Sequence, residues 1–139
     1  MEDNGRVAVG AIIGVAAVLC AASAEAQPID PYAASATQAY RREEAHFRAF
    51  AREVYFAQAC KVFLDPVMGQ MLVGQQGSIL LNEALQDRIR PTPGPELLRE
   101  AASRGAALAA KPGGCAFWHE HLDEVHRLRQ MGSAVEASR

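Results

Sequence analysis

The chain has 139 residues, half of them hydrophobic, with 14 basic and 16 acidic side chains, 4 histidines and 3 cysteines. That length is one domain with a modest core. A near balance of charge excludes partners recognised by bulk electrostatics, namely nucleic acid or an anionic membrane surface.

Residues 7–19 are almost purely apolar, small residues follow, and Ala24, Glu25 and Ala26 stand just before Gln27. An apolar core ending in an A-x-A site predicts a secretory signal peptide over 1–26. The first six residues depart from the usual pattern, carrying Glu2 and Asp3 against Arg6 where a net positive region is the rule. Residues 7–22 fall short of the ~20 apolar residues that span a bilayer, so no stable membrane anchor is expected after cleavage. Leu19 occupies the position before Cys20 where a lipoprotein signal needs a small residue, so Cys20 is expected to leave with the signal. Cleavage removes Arg6 together with Glu2, Asp3 and Glu25, leaving 113 residues with 13 basic and 13 acidic side chains. The predicted location is periplasmic or secreted.

Two cysteines remain, Cys60 and Cys115, and an even count in an oxidising compartment predicts a disulfide between them. Closing that loop stabilises the fold by about 4 kcal/mol in the chain-entropy model, against ~5–15 kcal/mol for a whole domain. Neither cysteine belongs to a C-x-x-C pair, which weighs against a reactive thiol or a zinc ligand.

In chain order, residues 27–33 read as an extended arm because Pro28 and Pro31 restrict the backbone. A helix is predicted from about Ala34 to Leu64, with Tyr40, Phe47, Ala51 and Val54 on one face, Phe50 beside them, and Arg41, Arg42, Arg48 and Arg52 elsewhere. Phe56, Cys60 and Phe63 form a second apolar stripe on its last turns. Asp65 and Pro66 then give an N-cap and a first helical position. Gly69, Gly74 and Gly77 each weaken the next helix by about 1 kcal/mol relative to Ala, predicting a break or bend near Gly77, with Ser78 capping a further segment. In that segment Ile79, Leu80, Leu81, Ala84, Leu85 and Ile89 offer a broad apolar face. Prolines at 91, 93 and 95 make 90–95 a connector.

The next helix is predicted over about 95–110, with Leu97, Leu98, Ala101, Ala102, Gly105 and Leu108 inward and Glu96 near its N-terminus. Pro112, Gly113 and Gly114 end it. A last helix runs from near Cys115 to Met131, with Cys115, Trp118, Leu122 and Val125 on its apolar face, Leu128 on the margin, and 132–139 as a frayed tail. No segment shows sustained apolar–polar alternation, so no strand is expected. The predicted fold is all-α, a four- to five-helix bundle over 34–131 with one disulfide.

The densest group of ligand-type residues is His119, His121, Asp123, Glu124 and His126. His119, Asp123 and His126 fall at i, i+4 and i+7 on one helix, the spacing of a weak mixed copper, nickel or zinc site. His119 and His126 lie two turns apart, roughly 10 Å along the axis, too far to share one zinc ion. A solvated flank interacting with Arg127 and Arg129 accounts for them, and no metal site is expected. The missing C-x-x-C-H excludes covalent haem, no G-x-S-x-G elbow is present, and the Gly74 to Ser78 run lacks the P-loop lysine. No cofactor and no catalysis are expected. Met68 and Met71, with Val67 and Leu72, are the best sequence-level candidates for an adaptable binding groove, although the same stripe serves as ordinary core.

Ala59, Cys60, Lys61, Val62, Phe63 and Leu64, with a second cysteine opening a late helix, resemble the small periplasmic acid-stress chaperones, all-helical domains with one disulfide. A long helix precedes Cys60 here and no lysine-rich tail follows, so no functional residue carries over. The expected function is an exported, non-catalytic binding or accessory protein. Its partner is a protein or small molecule of the cell envelope, or a second copy of the chain. Acid-stress chaperone and metal-binding protein are the alternatives.

Overall fold

The computed structural model describes residues 31–138, and the regular structure among them is entirely helical. Among the described residues five helices follow one another: α1 (Pro31–Ala59), α2 (Pro66–Gln86), α3 (Gly94–Ala110), α4 (Ala116–Glu120) and α5 (Leu122–Ala137). They form an all-α bundle around one core that draws on every helix. The predicted signal peptide and residues 27–30 of the predicted arm lie outside the described residues.

α1 carries the core face its periodicity predicts, with Tyr40, Phe47, Ala51 and Val54 all buried. It begins at Pro31, so 31–33 are helical rather than extended. Proline's fixed φ and missing N–H suit the first helical turn, where no donor is required. It ends at Ala59, five residues before the predicted limit. The Val62 N–H donates to the Ala57 carbonyl at 2.9 Å and the Lys61 N–H to that of Gln58 at 3.0 Å. Lys61 takes the left-handed position at φ 60°, the place glycine usually fills in this helix-ending motif. Val62 and Phe63 are buried beyond the helix all the same, while Leu64 is 88% exposed.

α2 starts as predicted: the Val67 N–H donates to Asp65 Oδ1 at 2.9 Å, and Pro66 occupies the first turn. No break falls at Gly77, and α2 runs uninterrupted to Gln86. Gly69 sits where α2 meets α1, since a β-carbon there would lie 3.3 Å from Val54 Cγ1 and 2.6 Å from Gln58 Oε1. The residue that weakens the isolated helix therefore permits its packing. Ser78 caps nothing; its hydroxyl donates to the Gly74 carbonyl one turn back at 3.0 Å. Leu80 and Ala84 are buried, but Ile79, Leu81 and Leu85 are exposed, so the predicted broad apolar face is only partly used.

The proline-rich connector is tied to α1 through Tyr40, whose hydroxyl accepts from the Thr92 N–H at 3.2 Å and donates to Glu44 Oε1 at 3.3 Å. Burial pushes this phenol above its ordinary pKa. α3 buries Leu97, Ala101 and Gly105. A β-carbon at Gly105 would stand 2.7 Å from the Phe56 backbone nitrogen, so α3 and α1 meet backbone to backbone. Glu100 joins the same pair of helices by pairing with Arg48 of α1 and with Arg104 at 3.0 Å.

Cys60 and Cys115 are disulfide-bonded, with α-carbons 5.4 Å apart. The bond ties the end of α1 to the residue preceding α4. The predicted single last helix is interrupted at His121, which has φ −127° and ψ 59° and ends α4 as it starts α5. Its ring stacks on Phe117 at 4.0 Å, and Nδ1 lies 2.8 Å from the Phe117 carbonyl oxygen. Trp118, Val125 and Leu128 are buried as the periodicity requires, but the break turns Leu122 outward to 59% exposure. The predicted frayed tail is largely helical, because α5 continues to Ala137. Met131 and Val135 pack on the core, and Gly132 admits the Met68 side chain into space a β-carbon would fill.

Candidate functional site

The residues singled out from sequence do not converge. Met68 and Leu72 are core, Val67 is half exposed, and Met71 is part-buried beside them, so the stripe serves largely as core. His119 lies on α4, whereas Asp123 and His126 lie on α5, and the interruption at His121 destroys the i, i+4, i+7 register. Among the described residues, no three His, Cys, Asp or Glu side chains are grouped to hold a metal ion. The cysteines do meet, as a disulfide.

A groove forms instead at the disulfide end. Phe50, Arg52, Glu53 and Phe56 of α1 give one wall, and Leu108 of α3, the 111–114 turn and Phe117 of α4 give the other. Its volume is about 670 Å³, inside the ~300–1,000 Å³ typical of ligand sites. The floor is aromatic: Phe56 lies 5.8 Å from Phe117 and 5.1 Å from Trp118, and Phe117 meets Trp118 edge-on at 5.1 Å. Such pairs hold one another in place beyond the area they bury. Gly113, at φ 72°, lies in the turn between Lys111 and Phe117, and all three line the groove.

The rim is charged and asymmetric. Arg52 and Lys111 are exposed and make no ion pair among the described residues. Glu53 is engaged, accepting from Arg127 Nη2 at 3.0 Å, and the same guanidinium donates to Glu124 Oε2 at 2.7 Å. Burial pushes the Glu53 carboxyl above the usual carboxylate range, with the neighbouring Glu124 carboxyl adding to the rise. Arg127 holds Glu124 below that range.

A second cleft of about 230 Å³ lies between Tyr40, Phe47, Leu81 and Leu98. It is smaller than typical ligand sites. Sequence reasoning missed the main groove because its residues come from three helices and a turn. The available signal was the surplus of aromatics, since Phe50 and Phe117 each stand beside a core stripe rather than on it.

Compared with known proteins, the chain matches no family model, no curated protein and no solved structure. Among the described residues, no helix is long and apolar enough to cross a membrane.

Proposed function

We propose that the chain is an exported, non-catalytic binding or accessory domain whose binding site is the groove between α1, α3 and α4. The groove itself carries the reading: an apolar, aromatic floor of ligand-site volume whose polar groups stand on the rim. Such a lining supports contact and orientation rather than bond chemistry. Export is supported by the apolar run and A-x-A site of 1–26, and by a disulfide of the kind that persists in oxidising compartments. That bond fixes Phe56 against Phe117 and so holds the floor in shape.

The test is recovery of the protein from the envelope fraction of its native host, followed by mass spectrometry of co-purifying proteins and small molecules, for wild type and for Leu108→Glu. Leu108 is half-buried and packs on the core, so helical circular dichroism of the variant checks that it folds. A partner present with wild type and lost with the variant is expected. Identical recoveries from both would contradict the assignment of the site, and an intact chain in the cytosol would contradict export.

A further inference from the structure

We infer that the groove takes a single-chain anionic amphiphile, with its apolar tail on the aromatic floor and its carboxylate between Arg52 and Lys111. This rests on the groove being the binding site and goes further by naming the ligand class. Both cations are exposed and unpaired among the described residues. The carboxylate among the described lining residues, Glu53, pairs with Arg127 rather than with either of them. An apolar floor with two free cations in its lining is complementary to a molecule with the same division of character: a tail that gains by leaving water and a head that needs positive charge. A cationic head would meet uncompensated positive charge there.

The volume sets the second limit. A groove of about 670 Å³ bounded by helices and a turn has room for one chain, which points to free amphiphile rather than a bilayer face. Each exposed charge contact is worth only ~0.2–1 kcal/mol, so charge supplies discrimination while the tail supplies affinity.

The chain has one tryptophan, and Trp118, 3% exposed, touches the groove residue Phe117. Its fluorescence therefore reports occupancy of the groove. Protein purified from its native host is titrated with dodecanoate, with dodecyltrimethylammonium and with phosphatidylglycerol vesicles, and calorimetry gives stoichiometry. Saturable one-to-one binding of dodecanoate is expected, about tenfold tighter than the cationic analogue, with no vesicle binding. In Arg52→Glu/Lys111→Glu, whose positions are exposed, the preference should reverse; Leu108→Glu should lose both ligands, with helical circular dichroism unchanged in each variant. Equal affinity for the two amphiphiles would overturn the ligand class while leaving the groove as a binding site. No saturable binding of any probe, or co-sedimentation with the vesicles, would overturn the inference outright. Loss of the co-purifying partner on Leu108→Glu remains a separate readout of the groove itself.

Discussion

α2 contains three glycines and remains one helix, whereas residues 115–137, with no proline and a single glycine, divide at His121. Propensity alone ranks these two regions the wrong way round. In α2, Gly69 lies against Val54 and Gln58, and a β-carbon at Gly77 would lie an ordinary 3.6 Å from Phe47, so two of the three weak positions face α1, while Gly74 faces open space. In the second region the anchors differ at the two ends. Cys115 and Trp118 fasten the first turn to the end of α1, while Leu128 is buried and Gly132 meets Met68 of α2. The interruption falls between these anchors, where His121 covers the Phe117 ring and faces its carbonyl. Helix continuity in this protein follows what each turn packs against, and propensity is the weaker term.

Removing the staple should test the second region hardest. Cys60→Ser/Cys115→Ser closes no loop in the unfolded chain, and the 55-residue separation predicts a loss of about 4 kcal/mol by urea unfolding. Hydrogen exchange should rise first in α4 and the 111–115 turn while α2 stays protected. Uniform loss of protection would show that the two regions are not independently anchored.

Two glycine substitutions sharpen the contrast. At Gly105 the obstructing atoms are the backbone of Tyr55 and Phe56 and the Tyr55 β-carbon fixed to it, which cannot move aside, so Gly105→Ala should cost about 1–3 kcal/mol. At Gly77 the nearest atoms are at normal contact distance, so Gly77→Ala should stabilise α2 by up to about 1 kcal/mol. Equal effects at the two positions would reduce both to propensity. A smaller gain is expected for Lys61→Gly, which removes a left-handed lysine from the end of α1.

The smallest effect concerns the charges that link α1 to α5. Glu53, with its pKa raised, adds stability below its unfolded value and loses that contribution as pH rises through its folded value. Glu124, with its pKa lowered, adds stability above its unfolded value and loses it as pH falls through its folded value. The two contributions oppose each other across the mildly acid range. Carboxyl NMR titration should place the Glu53 midpoint above that of Glu124, and coincident midpoints would remove the burial argument.

The α1 core stripe, the Asp65 and Pro66 start, the connector, the limits of α3 and the cysteine pairing were legible because each is encoded by local spacing or by a residue with one dominant property. The continuity of α2, the break at His121 and the extension of α5 past Met131 depend on contacts between distant residues, which periodicity does not contain. Leu128, Met131, Gly132 and Val135 do continue the i, i+3, i+4, i+7 stripe, so the longer α5 was present in the pattern, hidden by a glycine that reads as a terminator. The groove was not legible: Arg52 and Lys111 are 59 positions apart in sequence and come to one groove only through α1, α3 and the turn between α3 and α4.

The account rests most heavily on an exported chain stapled between α1 and α4. Non-reducing peptide mapping of the protein from its native host tests both parts at once. The predicted result is a chain that begins at Gln27, with the Cys60 and Cys115 peptides recovered as one linked species. Two freely alkylated thiols in a chain still beginning at Met1 would contradict it.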